Sequence, residues 1–397
     1  MTNPTQTPPA RHHQQRLSVP FDFPVLFCRD LFAPENGLLL DVLRRREPTR
    51  HHRAMVVAER PVLEANPGLA DRIRGWFSAH ADAVELVADP FLLPGGEAAK
   101  NDYRLTMTLI DAMLEHRMDR QAYVIGIGGG ALLDAAGFAA SLVHRGLRMV
   151  RVPTTVLAQN DAAVGVKTAM NLHGGKNTIG TFAPPFAVIN DFLLLRTLPF
   201  RDWIAGASEA FKVAMIKDAA FFDWLCAAAP RLRARDDAAM EELVERCALL
   251  HLDHIRAGGD PFEMGSARPL DFGHWSAHKL ESLSGYRVRH GEAVAAGIAL
   301  DALYARRLGL LAPADAARLL EALRAAGFDL WHPEMDERLG DGTHALLQGL
   351  ADFQEHLGGD LCITLPDGVG RRVEVHTMDF ALLAAALDEL RAFALVG

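Results

Sequence analysis

Three histidines and one glutamate in the second half of the chain are of the residue types that bind a catalytic metal ion. His274 and His278 stand four residues apart, so on a helix they would share one face. His290 follows in the string RHGEAV, and Glu209 stands upstream in GASEAFK. Two histidines and one carboxylate around an open coordination position form a common catalytic zinc set. Spacing alone leaves open which three residues bind the ion and whether Glu209 reaches the histidines.

A glycine-rich turn in the first half is a candidate nucleotide site. Gly128, Gly129 and Gly130 come shortly after the apolar run at 122–125. Glycines after a strand let the backbone approach a pyrophosphate, and the next helix offers its N-terminus to the charge. A tight strand-to-helix turn without a ligand would explain the glycines alone equally well. Glu59, just past a short buried strand, is placed either to bind an adenine ribose or to lie solvated in a loop.

Residues 126–182 as a whole are more specific than the glycines. An aspartate follows the glycine turn, two threonines follow a proline, and three basic residues have the character of anion contacts. The stretch therefore predicts a dinucleotide site that meets a second, anionic ligand, and its residues of interest are Asp134, Arg145, Thr154, Thr155, Asp161, Lys167 and Lys176.

Composition excludes several classes of function. The chain has 397 residues, of which 50% are hydrophobic and 23% charged, as expected of a soluble enzyme with two domains. A net charge of −9 with dispersed basic residues argues against nucleic acid. Four separated cysteines favour reduced thiols and a cytoplasmic location. No apolar run is long enough for a membrane span.

The order of predicted elements indicates an α/β domain followed by an all-α domain. Strands and helices alternate up to residues 198–199, which predicts a Rossmann-like, doubly wound parallel sheet. From residue 202 onward alanine and leucine recur at helical spacing, with one short strand predicted at 361–365. We therefore expect a disordered tail at 1–16, a nucleotide-binding domain at 17–200 and a helical metal- and substrate-binding domain at 201–397.

Between about residue 95 and residue 370 the chain resembles the dehydroquinate synthase-like sugar phosphate cyclases. The strings that carry the resemblance occur in the family's order, and the branch they resemble most is the Ebo-operon type. They are GGEAAK, GGGALLDAAGFAA, PTTVLAQNDAAVGVKTAMN, GKNTIGTF, RTLP, GASEAFK, FGHWSAH and RHGEAV.

The resemblance implies bound NAD, one divalent metal ion (zinc or cobalt), a two-domain fold and a homodimer. It would make Glu209, His274 and His290 the metal ligands. NAD would contact the glycine turn and neighbouring polar residues, namely Gly129, Gly130, Asp134, Thr154, Thr155, Lys176 and Thr197, with Glu97 and Lys100 near its ribose or nicotinamide. The substrate would be surrounded by Asp161, Lys167, Lys176, Asn177, Lys212 and Asp271, with His278 and Arg145 at its phosphate, Arg145 across the dimer.

The chemistry that the family performs suits these residue types. NAD removes a hydride from a substrate hydroxyl carbon, and the metal ion polarises the ketone that forms. Phosphate then leaves by elimination, NADH returns the hydride, and an intramolecular aldol reaction closes a carbocycle. Lysines near a developing enolate would stabilise its charge. Net redox is zero.

Departures from the family pattern cluster where dehydroquinate synthases hold the substrate carboxylate. Ala267 and Asp271 replace an arginine and an asparagine, with Arg268 one place away, and an ungapped alignment puts Asp253 in place of a lysine. The late Asp-Lys-Lys motif reads Phe-Gln-Glu at 353–355, with His356 beside it. Lost cations disfavour an acidic substrate. A neutral sugar phosphate such as sedoheptulose 7-phosphate is therefore expected.

Three alternatives remain at this point. The chain could be a true 3-dehydroquinate synthase with a rearranged carboxylate pocket. It could be an NAD- and metal-dependent alcohol dehydrogenase, which would accumulate NADH, although the lysines and the GKN string argue against that. It could also be a silent binding or scaffold subunit, although such a protein would have no reason to keep the metal-binding residues.

Overall fold

The computed structural model describes residues 12–173, 175–258, 262, 270–356 and 359–395. Of the predicted tail, residues 1–11 lie outside this range, and residues 12–16 are exposed and have no regular secondary structure. Ala267 and Arg268 also lie outside it, as does the side chain of His356. Within the described residues, no helix combines the length and apolar character needed to cross a membrane.

A parallel sheet forms the first half, as the alternating pattern predicted. Its strands are rich in buried aliphatic residues and run in the spatial order β1-β9-β6-β5-β2-β3, with β4 also paired to β2. Strands covered on both faces carry such runs. Their bounds are β1 Val25–Cys28, β2 His52–Glu59, β3 Val84–Leu86, β4 Phe91–Leu93, β5 Tyr123–Gly128, β6 Arg148–Pro153 and β9 Ala187–Asp191.

Helices cover this sheet, and short irregular turns follow several of its strands. The helices are α1 Leu38–Arg44, α2 Arg60–Ala65, α3 Leu69–Ala79, α4 Ala98–Asn101, α5 Tyr103–Glu115 and α6 Gly130–Leu142. The turns are a 3-10 helix at Val143–Arg145, a π-helix at Ala158–Ala162 and a 3-10 helix at Phe192–Leu195.

The sheet reverses its winding direction between β2 and β5. From β2 the chain continues to β3 and β4 on one side, whereas from β5 it continues to β6 and β9 on the other. Connections that diverge in this way leave a crevice at the carboxyl ends of the two strands, which is where open α/β sheets bind ligands. Glu59 ends β2 and Gly128 ends β5, so both lie at this crevice.

An antiparallel hairpin leaves the sheet between β6 and β9. Its strands are β7 Lys167–Leu172 and β8 Gly175–Phe182. Arg151 on β6 is buried and donates hydrogen bonds to the carbonyl oxygens of Ala163, Gly165 and Lys167. These bonds give both terminal nitrogens of the buried guanidinium an acceptor, while Nε has none among the described residues, and they fix the start of the hairpin.

The second half is helical, as predicted, except for a small hairpin. The predicted strand at 361–365 is observed as β10 Ile363–Pro366, and it pairs with a strand that was not predicted, β11 Arg372–Val375. The helices are α7 Phe200–Ala205, α8 Ala207–Lys217, α9 Ala219–Arg233, α10 Asp237–Ala257, α11 His274–Leu283, α12 His290–Arg307, α13 Pro313–Ala326, α14 Gly349–His356 and α15 Phe380–Leu395, with 3-10 turns at Pro333–Asp336 and Ala345–Gln348.

Close contact between α11 and α12 sets the position of His274. Buried Asp301 on α12 accepts hydrogen bonds from the Gly273 amide and the Trp275 indole, on either side of His274. Burial raises the pKa of the Asp301 carboxyl to about 7. A Cβ atom at Gly297 would overlap the carbonyl oxygen of Gly273. The glycine therefore allows α12 to lie directly against the first turn of α11.

We expect Gly297→Ala to destabilise the protein by about 1–3 kcal/mol, because the added methyl group must push α12 away from Gly273. Gly75→Ala is the matched control: Gly75 lies within α3, is exposed, and has no atom within 4 Å of an added Cβ. The control should stabilise the protein by about 0.5–1 kcal/mol. Thermal unfolding followed by circular dichroism measures both. Equal unfolding midpoints for the two variants would contradict this packing.

Candidate active site

The buried carboxylate of Glu209 forms the centre of the candidate metal site. Glu209 lies in the first turn of α8 and is 2% exposed. Lys212, one turn further on, approaches Oε2 as an ion pair. Oε1 lies 3.6 Å from His290 Nε2 and 3.8 Å from His274 Nε2. Among the described residues neither oxygen has a hydrogen-bond donor in good geometry, and Oε1, which lacks the ion pair that Oε2 makes, is without the partner that burial requires.

The two histidines direct their Nε2 atoms at Glu209 because acceptor oxygens on the far side of each ring contact their Nδ1 atoms. His274 Nδ1 lies 3.2 Å from the carbonyl oxygen of Phe272, and His290 Nδ1 lies 3.1 Å from Glu281 Oε2. Burial and the Lys212 ammonium hold the pKa of the His274 imidazole well below its usual range. Burial also works against charge on His290, but Glu209 and Glu281 outweigh it and raise the pKa of that imidazole to about 10.

This donor set fits a divalent metal ion. The ligand atoms of Glu209, His274 and His290 lie within 4.8 Å of one another, and donors in a tetrahedral zinc site stand about 3.3 Å apart. A cation there would supply the partner that Glu209 Oε1 lacks. His278, Glu281 and His290 also bring ligand atoms within 4.8 Å, but His278 is exposed. Geometry therefore favours the set that contains the orphaned carboxylate.

Charged residues from both halves of the chain surround this carboxylate. Asp161 lies on the π-helix, and its Oδ1 is 3.0 Å from His251 Nδ1 on α10. Burial would raise the pKa of the Asp161 carboxyl, but the His251 contact outweighs it and lowers that pKa. Lys212 is buried, yet Glu209 and Asp161 raise the pKa of its ammonium. The site thus holds a permanent cation beside two carboxylates.

One hydrogen bond fixes the two halves of this cluster to each other. Asn160, beside Asp161 on the π-helix, is fully buried and donates to the carbonyl oxygen of Gly206, the residue before α8, at 2.7 Å. A Cβ at Gly206 would overlap the backbone of Leu157. π-helical turns are frequent at functional sites, and here the turn places Asp161 next to α8.

The glycine turn joins β5 to α6, as its sequence predicted, and it lies at the crevice of the sheet. Gly129 caps α6 in extended conformation, which leaves the first amides of the helix for an anion. A Cβ at Gly128 would lie 2.9 Å from Cγ of Glu59. Glu59 accepts a hydrogen bond from the Gly96 amide at 3.4 Å, and burial raises the pKa of its carboxyl. A dinucleotide pyrophosphate fits the glycines, while Glu59 already has a partner on the adjoining loop.

Polar residues on the hairpin side of the crevice form a connected network. Lys100 Nζ lies 2.6 Å from Asp134 Oδ2 and 2.5 Å from Asn177 Oδ1. Glu97 accepts a hydrogen bond from Asn171 on β7 at 2.8 Å. These predicted cofactor and substrate residues therefore lie together where α4, α6 and the hairpin meet.

The remaining predicted residues lie further out or have structural contacts. Thr154 is buried next to the glycine turn, with its hydroxyl lacking a described partner. Thr155 accepts a hydrogen bond from the Ala158 amide, and Thr197 accepts one from Asn66. The other members are Gly130, which begins α6, the exposed residues Lys167 and His278, and Arg145, which is exposed on a turn with φ of 63°.

Asp253 does not contribute to the site. It lies on the outer face of α10, where its side chain is 60% exposed and pairs with Arg256 at 2.8 Å. The α10 residue that faces the site is His251, two positions earlier. Helical periodicity explains the difference, because residues two apart point to nearly opposite faces. Asp271, in contrast, immediately precedes the Phe272–His274 turn, and its charge helps to raise the pKa of Lys212.

Glu281 and His251 were not predicted from the sequence. Glu281 follows His274 and His278 at helical spacing, so the i, i+3 and i, i+4 rule places it one turn beyond His278 on α11. His251 has no such signal, because its contact with Asp161 joins segments that are distant in sequence.

Comparison with known proteins agrees with the resemblance found in the sequence. Residues 90–205 match the family model of the 3-dehydroquinate synthase N-terminal domain, and residues 206–344 match that of the C-terminal domain. A 3-dehydroquinate synthase of Ruegeria sp. is 39% identical over 294 residues, 73% of this chain and 77% of the relative. One of Neisseria meningitidis serogroup C is 36% identical, over 78% of this chain and 86% of the relative.

Among solved structures, a 2-epi-5-epi-valiolone synthase of Streptomyces hygroscopicus, determined with NAD+ and Zn2+ bound, has the same fold. It is 28% identical, with a TM-score of 0.83 over 96% of this chain and all of that one. The pattern of motifs, the two-part fold and the similarity of more than two thirds of the chain agree. The chain belongs to the dehydroquinate synthase-like family of sugar phosphate cyclases.

Proposed function

We propose that this protein is a sugar phosphate cyclase for a non-carboxylated substrate, with sedoheptulose 7-phosphate as the model compound. The observation that carries the proposal is the buried Glu209 carboxylate, whose Oε1 lies between two imidazole nitrogens and lacks a described donor. It lies in the helical half beside Asp161, a residue from the half that contains the glycine crevice. A Cβ at Gly130 would lie 3.2 Å from Ala162, the neighbour of Asp161, so the two sites adjoin, which suits oxidation and elimination on one substrate.

The glycine crevice would hold NAD, a cofactor that is bound in the valiolone synthase structure. The α6 amides would bind its pyrophosphate, and the network around Lys100 would lie near its ribose or nicotinamide. When bound, NAD supplies a hydride acceptor that becomes a donor later in the same turnover. Thr154 has a buried hydroxyl without a described partner at this edge of the sheet, and a ligand there would provide one.

Glu209, His274 and His290 would hold one divalent ion, with zinc or cobalt suited to the donor set. When bound, the ion supplies Lewis acidity at a substrate oxygen. The neutral state of His274 favours binding, whereas His290 must first lose the proton that Glu209 and Glu281 stabilise.

Residues of the chain itself would stabilise charge as the substrate reacts. The substrate hydroxyl is transiently oxidised, phosphate leaves by elimination, the ketone is reduced again, and an aldol reaction closes the ring. Lys212 keeps its proton because two carboxylates face it, so it remains a cation where an enolate develops. Lys176 and Asn177 lie on the hairpin, where Lys176 contacts Glu281 and Asn177 contacts Lys100. His278 and Arg145 would bind the phosphate at the outer edge, Arg145 from the second subunit of a homodimer.

Two features support a neutral substrate. Asp271 adds a carboxylate within electrostatic range of Lys212, and carboxylates accept hydrogen bonds from sugar hydroxyls but repel a substrate acid. His251 occupies the position of α10 that faces the site and is already paired with Asp161. This helix contains no lysine, so it offers none to a substrate carboxylate. Asp253 faces away from the site and gives no such support, and Ala267 lies outside the described residues.

The alternative is a 3-dehydroquinate synthase with a rearranged carboxylate pocket. It is favoured by the 36–39% identity to enzymes of that name. The two functions share the fold, the cofactor crevice and the metal site, so they differ only in which sugar phosphate turns over.

Phosphate release distinguishes the two candidates. The NAD- and zinc-loaded protein is offered sedoheptulose 7-phosphate and, separately, the seven-carbon heptulosonate phosphate, while NADH absorbance is followed. We expect release from the neutral sugar only, without accumulation of NADH, because Asp271 repels the acid. Release from the acid alone would show that the protein is a 3-dehydroquinate synthase. Stoichiometric NADH without phosphate would indicate an alcohol dehydrogenase.

Lys212→Met should lower the rate of phosphate release by about 100-fold or more, because it removes the buried cation that stabilises developing negative charge. The same substitution at Lys217, which lies on the same helix but contacts the Leu250 carbonyl oxygen, is the matched control and should keep the rate. Steady-state kinetics with phosphate detection measures both. A Lys212→Met enzyme as fast as wild type would remove Lys212 from the mechanism.

A further inference from the structure

Glu281 is a buried carboxylate that touches both a candidate metal ligand and a candidate substrate lysine. It lies near the end of α11 and is 3% exposed. Its Oε2 lies 3.1 Å from His290 Nδ1, and its Oε1 lies 2.7 Å from Lys176 Nζ on β8. Each oxygen of the carboxylate therefore faces one nitrogen, and the two nitrogens come from distant parts of the chain.

The position of Glu281 decides which nitrogen of His290 is available. A carboxylate that also faces a lysine ammonium accepts hydrogen bonds but donates none, so the His290 nitrogen beside it must be the donor. The lone pair of the neutral ring then lies on Nε2, which is the atom that faces Glu209 at 3.6 Å. A carboxylate on the second ring nitrogen of a metal-binding histidine fixes its tautomer and ring orientation and makes it a stronger ligand.

Lys176 gives this carboxylate its second partner. The ammonium also lies 4.8 Å from the centre of the Tyr286 ring. Because Glu281 accepts from a lysine of the first half and a histidine of the second, it joins the hairpin to the start of α12. Because each oxygen of the buried carboxylate has its own partner, the carboxylate is held in one orientation more firmly than by the contact with His290 alone.

We propose that Glu281 is a positioning residue for the metal site: it holds His290 with Nε2 directed at the ion and keeps Lys176 beside the substrate. The inference rests on the proposed ligand set of Glu209, His274 and His290. It predicts that Glu281 raises metal affinity without binding the ion. The competing arrangement, in which His278, Glu281 and His290 are the ligands, would make Glu281 a direct ligand.

Chelator competition tests the proposal without any substrate. The full-length protein is stripped of metal, and Zn2+ affinity is measured against a chromophoric chelator for wild type, Glu281→Gln, Lys176→Met and His274→Ala. Glutamine keeps the shape of Glu281 but loses the charge, so we expect affinity to fall by about 10–100-fold. Lys176→Met removes only the second partner of Glu281 and should weaken zinc binding less than Glu281→Gln does. His274→Ala removes a ligand and should weaken binding most.

The outcomes separate this inference from the proposed function. Loss of affinity in His274→Ala with unchanged affinity in Glu281→Gln would overturn the role of Glu281 and leave the ligand set standing. Unchanged affinity in His274→Ala would overturn the ligand set, and the inference with it. Circular dichroism establishes that each variant folds. If Glu281→Gln does not fold, 15N spectra of histidine-labelled wild-type zinc protein decide: the inference requires the Nδ1–H tautomer of His290, and the Nε2–H tautomer would overturn it.

Discussion

The Glu209 carboxylate is buried without adequate hydrogen-bond donors, and the arrangement of the charged residues around it follows from this burial. Glu209 is 2% exposed, and in the described residues Lys212 is its ion-pair partner while Oε1 faces two imidazole nitrogens. Burying such a group costs several kcal/mol unless it is compensated. A divalent cation between Glu209, His274 and His290 would compensate it, and the supports behind each histidine hold the rings in the orientation that such an ion needs.

The fold brings this carboxylate to the nucleotide crevice through a small number of contacts. Winding reverses between β2 and β5, which opens the sheet beside Glu59 and the glycine turn. The buried side chain of Asn160 then ties the π-helix after β6 to the residue before α8. Lys176 and Glu281 form a second tie, between the hairpin and α11. Chemistry that needs a hydride acceptor and a Lewis acid on one substrate depends on this proximity of the two halves.

The spacing of residues along the sequence predicted those features of the molecule that form within one element or between adjacent elements. The alternating strands and helices, the glycine turn at the end of β5 and the helical pair His274 and His278 follow from spacing that one element sets by itself. Contacts between distant segments had no such signal, so His251 beside Asp161 and the pairing of β10 with β11 went unpredicted. The ungapped alignment placed Asp253 at the site, but the residue of α10 that faces the site is His251. A shift of two residues along a helix moves a side chain to nearly the opposite face, and alignment alone does not reveal it.

The location of bound zinc shows directly whether Glu209, His274 and His290 are the metal ligands. Crystals of the full-length protein are soaked with a zinc salt, and anomalous differences are collected at energies above and below the zinc edge. We expect one strong peak within coordination distance of Glu209 Oε1, His274 Nε2 and His290 Nε2. A peak between His278 and Glu281, or zinc only at the surface, would contradict this ligand set, because Glu209 would then not bind the ion.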